Sequence, residues 1–406
     1  MQLSPKARRF PKGFLWGTAT SAHQIEGDNI HSDWWEREQN GKVGVKSGRA
    51  CNSWNLWRQD INLAKSLHTN AYRFSLEWAR IEPHDGEFNL TALRRYEQEI
   101  KYLHELGTQV MLTLWHFTLP QWFAAKGGFA KKENIIYFTR FISYVVNHLV
   151  TPPDYWITLN EPSNIYVSCA YLIGIWPPGE RNLVKALQVF SNLISAHRSA
   201  HKVIHDKYPE AQVGAALHFM CVESFTKNPL LQLISWLVDL IVNRIFLFFI
   251  KNSLDYLGVN YYAATWVRWG HLFPQVKTAS DLIPIYYGTD HDLWRDYPQG
   301  LYKILISLKK YHLPIIITEN GVADSQDRIR ARYIKDHLEW AWQAIRDGVD
   351  LRGYFHWTLM DNFEWSLGFK PKFGLFSTDF RTFKRTPRPS AAAYARICRL
   401  NAISTK

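Results

Sequence analysis

Eight short apolar or β-branched runs constrain this chain more than any other feature. They begin at Phe14, Ala71, Gln109, Tyr155, Gln212, Leu254, Pro314 and Leu351, and each ends in polar or aromatic residues. Apolar residues are continuous within them rather than alternating, as parallel strands covered on both faces require. Helical stretches such as RQDINLAKSLH, LRRYEQEIKYLHELG and ARYIKDHLEWAWQAIRDG separate them, and Gly107 and Gly348 stand where a helix C-terminus takes glycine. No 20–50-residue repeat and no Ser/Gly/Pro linker divides the chain. Eight strand-then-helix units predict an α/β fold, a single (β/α)8 or TIM barrel over residues 1–406. Barrels of this kind routinely exceed the roughly 150 residues of an average domain.

Composition removes several alternatives. Hydrophobic residues make up 47% and charged residues 21%, which excludes a disordered chain. Cys51, Cys169, Cys221 and Cys398 are too far apart for a zinc knuckle or a CxxC pair and read as reduced, buried thiols. The stretch MQLSPKARRFPKGFLWG has cations but no apolar core after them, so no secretory signal is expected and the predicted compartment is the cytoplasm. The formal charge is +12, with clusters at Arg328, Arg330 and Arg332 and at Arg381, Lys384, Arg385 and Arg388. No helix-turn-helix, RRM or zinc-finger pattern surrounds them, so no nucleic-acid partner is expected. No P-loop or GxGxxG follows a strand, and no cofactor is expected.

In such a barrel, chemistry sits at the C-terminal ends of the strands. The run ends supply Gln24; Arg73, Glu77 and Trp78; Trp115 and His116; Asn160 and Glu161; His218; Asn260, Tyr261 and Tyr262; Glu319 and Asn320; His356 and Trp357. Amides, imidazoles and carboxylates suit hydroxyl groups, and aromatic faces suit the C–H surface of a sugar ring. Glu161 follows the fourth run and Glu319 the seventh, so they face each other across the mouth. Glycoside hydrolysis needs two opposed carboxyl groups, one protonated to assist the leaving oxygen and one ionised. Arg73 and Tyr262 are placed to reach Glu319 and favour its charge. Glu161 has only Asn160 beside it, and apolar walls would raise its pKa.

The motifs FPKGFLWGTATSAHQIEG, TLNEP, VNYY, ITENG, GYFHWTLMDNFEW, KFGL and KRTPRPSA, in this order over nearly the whole chain, resemble the family 1 glycoside hydrolases, which include β-glucosidases and β-galactosidases. The resemblance implies a retaining β-glycosidase acting by double displacement on terminal β-D-glucosides, β-D-galactosides or both. It makes Glu161 the acid/base and Glu319 the nucleophile, with the two carboxyls about 5–5.5 Å apart. Gln24, His116 and Asn160 match binders of the sugar hydroxyls, Trp357 the ring platform, Glu364 and Trp365 the readers of the far hydroxyls, and Asn260 and Phe373 lining positions. Tyr262 and Arg73 match supports of the nucleophile, with Tyr262 also bordering the substrate. Glu364-Trp365 resembles sites for unphosphorylated sugars. The chain departs from the family's pattern at Phe117 and Thr118, between Gly27 and Ala50 with its Trp34-Trp35, and in a short 99-residue interval from Glu161 to Asn260 that lacks a loop after strand five. All three regions shape the outer site. The alternative is a sugar-binding or membrane-associated barrel with little or no hydrolysis.

Two further features need placing. His197, His201 and His205 recur at i, i+4, i+8, but no carboxylate or cysteine in the sequence is placed to complete a metal site, and none is expected. From Leu230 to Ile250, sixteen of 21 residues are apolar, with Gln232, Ser235, Asp239 and Asn243 forming a narrow polar stripe. Ordinary packing would turn the apolar side to the barrel. That side cannot all fit one wall, so some of Trp236, Ile241, Ile245, Phe246, Phe248 and Phe249 should be exposed or covered by a second subunit, a membrane surface or an apolar aglycone.

Overall fold

The computed structural model describes residues 7–269, 274–276 and 297–404. The first six residues of the stretch read for a secretory signal lie outside these. Eight parallel strands form the ring: β1 Leu15–Ala19, β2 Ala71–Ser75, β3 Gln109–Thr113, β4 Tyr155–Asn160, β5 Gln212–Ser224, β6 Tyr256–Trp269, β7 Ile315–Asn320 and β8 Leu351–Trp357. They neighbour one another in chain order. The pairing of β8 with β1 closes the ring, so no edge remains open. Every strand predicted from an apolar run is present, within two residues of its expected start.

Helices lie between the strands. Those over Ser53–Ser66, Leu90–Glu105 and Arg330–Arg346 match the expected helical stretches. Gly107 and Gly348 follow two of them at φ +64° and +86°, a backbone region that favours glycine. One hydrophobic layer lies between ring and helices, and a smaller inner cluster fills the barrel around Leu15, Met111, Ile157, Ile316 and Phe355. The strands are largely apolar because both faces of the ring are covered.

The basic clusters are partly consumed by the fold. Arg385 is buried against Asp60 at 2.9 Å, and Arg388 grips Asp361 through two hydrogen bonds of 2.9 and 2.7 Å. Buried Arg330 donates to Asp327 and to the backbone carbonyls of Asp324 and Lys372. Such residues hold loops together rather than offer charge to a polyanion.

Strands β5 and β6 run past the ring as a paired ribbon as far as Ser224 and Val267. The apolar segment leaves this ribbon as a helix, Pro229–Asp239, continues through a π-helical turn, Leu240–Arg244, and ends with Ile245–Ile250. Its orientation differs from ordinary amphipathic packing. Ser235 and Asn243 of the polar stripe are buried. The Asn243 side chain accepts from the Met220 N–H at 3.0 Å and donates to the Met220 carbonyl at 2.7 Å. Asn243 points inward because β5 has backbone groups there to satisfy, whereas Gln232 of the same stripe is exposed. The apolar side is left outside, where Leu230, Leu233, Trp236, Leu237, Ile241, Phe248 and Phe249 are exposed. Of the six residues named as candidates for exposure, Trp236, Ile241, Phe248 and Phe249 are exposed, Ile245 is half-buried, and Phe246 is buried with its ring against Phe190.

Candidate active site

The strand ends converge on one pocket. Glu161 and Glu319 face into it together with Gln24, His116, Asn160 and Tyr262, and the aromatic rings of Trp357, Trp365 and Phe373 border it. Glu364 completes the expected set, and Phe117 joins as a lining residue not anticipated in that role. Arg73 and Asn260 are not on the wall. Both are fully buried one layer behind it, so Asn260 positions a carboxyl group instead of lining the pocket as expected.

Glu319 ends β7. Its Oε1 accepts from Arg73 Nη1 at 2.6 Å and its Oε2 from the Tyr262 hydroxyl at 2.6 Å. A donor on each oxygen fits a carboxylate, which has acceptors only. The following Asn-Gly has a steric reason: a Cβ on Gly321 would stand 1.9 Å from the Trp357 carbonyl oxygen. Nucleophile strand and sugar platform are thereby pressed together.

Glu161 follows β4 with φ +41°, in the left-handed region that non-glycine residues seldom occupy. Asn260 Nδ2 donates to its Oε1 at 2.8 Å. The Asn260 amide is oriented by Thr318, whose hydroxyl donates to Asn260 Oδ1 at 2.6 Å. Burial, then the negative charge of Glu319, pushes the Glu161 carboxyl well above the usual carboxylate range, while the Asn260 bond opposes this. The cause is therefore not apolar isolation alone, as the sequence suggested, but also the opposing carboxylate.

Arg73 ties the halves. Its Nη1 also donates to the Thr318 carbonyl at 3.0 Å, its Nη2 to Asn160 Oδ1 at 2.6 Å and its Nε to the Thr113 hydroxyl at 3.1 Å. Asn160 Nδ2 is 3.3 Å from His116 Nε2, which makes that nitrogen the acceptor and the imidazole neutral. Burial, then Arg73, lowers the His116 pKa well below its ordinary value, in agreement. Its Nδ1 has no protein partner, leaving a buried donor for a ligand hydroxyl.

At the far wall, Gln24 Nε2 donates to Glu364 Oε2 at 3.0 Å and to Asn362 Oδ1 at 3.2 Å. Burial, with Glu319 adding to it, raises the Glu364 pKa to about 8. Trp365 is braced by residues whose part the sequence did not disclose. Trp34 and Trp176 pack on it at 4.9 and 5.4 Å between ring centroids, and His23 stacks on it at 5.6 Å. Glu38 holds His23 at 3.1 Å. The unusual interval between Gly27 and Ala50 thus supplies Trp34 and Glu38 to this brace. The departure at 117–118 is a pinned turn: Phe117 has φ +76°, and Thr118 donates to Glu77 at 3.0 Å. Glu77 and Trp78 are structural and do not reach the pocket.

The histidine row divides. His197 is buried between Thr158 and the Ser253 carbonyl. His205 bonds Asp255 at 2.8 Å, and His201 approaches it at 4.0 Å. The fold therefore supplies the carboxylate that the sequence pattern lacked, since Asp255 is 50 positions from His205. His205 also contacts the Pro209 carbonyl at 3.0 Å, and the group works as a latch between a helix and the start of β6.

A barrel with two buried carboxyl groups opposed in a pocket of hydroxyl-binding and aromatic residues defines a glycosidase class of site. The profile described as glycosyl hydrolase family 1 matches residues 6–235 and 240–403. The chain belongs to glycosyl hydrolase family 1. It is similar to β-glucosidase A of Thermotoga maritima, 31% identical over 98% of this chain and 99% of that one. A β-galactosidase of Pyrococcus woesei is 29% identical over 98% of each chain. Among solved structures, a β-glycosidase from Pyrococcus horikoshii superposes with TM-score 0.90 at 38% identity, over 98% of this chain and 97% of the other. A β-glucosidase from Thermotoga maritima in complex with glucoimidazole superposes with TM-score 0.89 at 29% identity, over 98% of this chain and all of the other.

Proposed function

We propose that this chain hydrolyses terminal β-D-glucosides, β-D-galactosides or both with retention of configuration, with Glu319 as nucleophile and Glu161 as acid/base. The observation that carries this is the asymmetry of the two carboxyl groups: donors on both oxygens of Glu319, and a raised pKa at Glu161. Glu319 attacks the anomeric carbon while Glu161 donates its proton to the departing oxygen. The glycosyl ester that forms is neutral. One cause of the raised Glu161 pKa then disappears, the carboxyl ionises readily, and it can take a proton from water that attacks the same face. Gln24, Glu364 and His116 hold hydroxyls, and Trp357 carries the ring. Proton NMR of the first sugar released from an aryl β-glucoside tests the reading: the β anomer is expected, and an initial α anomer contradicts it.

We further infer that residues 1–406 act as one catalytic unit in the cytoplasm. The four cysteines, all buried and unpaired, suit a reducing compartment. The segment 230–250 is read as a contact surface for something outside the barrel.

A further inference from the structure

The segment Pro229–Ser253 is, among the described residues, the one helix long and apolar enough to cross a membrane by length and composition, with mean hydropathy 2.0. Only 28% of its most apolar window is buried. It does not cross, because Asn243 is bonded to β5 and Leu231, Phe246, Leu247 and Ile250 are buried against the barrel. Half the helix belongs to the protein, and the other half is an apolar surface that carries the indole of Trp236. This is the form of a helix that lies in an interface.

Its charges agree. Lys227, Arg244 and Lys251 stand in or beside the segment, and Asp239, the one acid within it, is paired to Arg244. Lys251 lies over the exposed Phe248 ring at 5.0 Å, so cation and apolar face are adjacent, as an anionic headgroup layer above acyl chains demands. The whole chain adds a charge of +12. The family profile is interrupted only at 236–239, within this helix and including the exposed Trp236.

Position connects the surface to the pocket. The segment leaves the far end of β5, on the side of the ring where the pocket opens. Val242 packs on the inner cluster that includes Met220, Tyr262 and Phe373.

We propose that the exposed side of residues 229–250 docks the enzyme on an anionic lipid surface, with its pocket beside that surface, so that it takes β-glycosides whose aglycone is an apolar chain held in the lipid. This rests on the β-glycosidase reading and names its substrate class. The test is flotation of the full chain with vesicles of phosphatidylglycerol and phosphatidylcholine, and with phosphatidylcholine alone. Hydrolysis of a water-soluble nitrophenyl β-glucoside and of a long-chain alkyl β-glucoside embedded in the vesicles is followed alongside. The variants are Trp236→Ser with Ile241→Ser, and separately Lys227→Glu with Lys251→Glu, all outside the pocket.

The parent should float with the anionic vesicles and less with neutral ones, and either variant should lower binding about tenfold or more. The embedded substrate should then be cleaved correspondingly slower, with soluble-substrate rates unchanged. A parent that does not float, variants that float like the parent, or a parent dimer that the serine variant breaks without any lipid binding overturns the docking. Loss of binding with unchanged cleavage of the embedded substrate overturns the substrate class. Failure of the soluble substrate in the parent points instead to the hydrolase reading.

Discussion

The pocket and the 229–250 helix treat polarity in opposite ways. In the pocket, titratable groups are taken deep inside and made tolerable by fixed partners: Arg73 for Glu319, Asn260 for Glu161, Gln24 for Glu364. At the helix, Ser235 and Asn243 are also inside, but there they serve the backbone, and many apolar residues face out. Both regions run against the ordinary partition of a soluble protein, in which charge lies outside and apolar surface within. A native chain bears such a cost chiefly where function requires it. The pocket's exception serves catalysis, and the helix's exception asks for a partner.

Substitutions can break this contrast, and the largest effect belongs to the pocket. Glu319→Ala should lower kcat by roughly a millionfold, the scale on which removing a nucleophile acts in covalent enzymes. Steady-state assay on a nitrophenyl β-glucoside reads it, and near-parental turnover would remove Glu319 from the reaction. Glu161→Ala should cost about 10²–10⁴-fold on alkyl glucosides, which need protonation, and far less on nitrophenyl glucosides. Azide should accelerate that variant by attacking the glycosyl ester. Equal losses on good and poor leaving groups would show that Glu161 is not the acid.

The next effect concerns pH. Glu161 works protonated and its pKa is raised by burial and by Glu319, so on the basic side of the profile activity falls as pH rises through that value. Asn260 favours the charged form. Asn260→Ala should therefore move the basic limb of the kcat/KM profile upward, by about one pH unit for a bond of about 1.4 kcal/mol. A downward move would mean that Asn260 acts on something other than Glu161.

A paired substitution on the helix sharpens the contrast at smaller cost. Asn243→Leu makes the segment more apolar and yet should destabilise the protein by about 2 kcal/mol, because the Met220 N–H and carbonyl lose their partner. Ile241→Ser makes it more polar and should change stability by less than about 0.5 kcal/mol. Thermal melts of the two variants would show whether the helix is inverted. EDTA should have the least effect: rate and melting temperature should not move, since the His205–Asp255 latch holds by its own hydrogen bond.

The ring was legible in the sequence because a strand covered on both faces must be continuously apolar, and eight such runs leave few architectures. The carboxyl groups were legible for the same reason, standing where buried strands end. What the sequence could not disclose was contact across distance. Trp34 and Glu38 come from an interval without recognisable pattern and reach Trp365 only after folding. Asp255 meets His205 because two elements end at the same side of the ring. The inversion of the helix was hidden as well. A polar stripe reads as a water-facing stripe until the strand it must satisfy is in place.

Arg73 has one further consequence. Its planar guanidinium reaches from β2 to Thr113 on β3, to Asn160 on β4 and to Thr318 and Glu319 on β7. Glu161 directly follows Asn160. A rigid, flat group of fixed dimensions thus acts as a ruler between the two carboxyl-bearing strands. The spacing of these two strand ends is held by the covalent geometry of one side chain as well as by the packing of the barrel interior. A barrel repacked with other aliphatic residues should keep its stereochemistry, whereas lysine at position 73, a point charge on a flexible stem, should let the gauge drift.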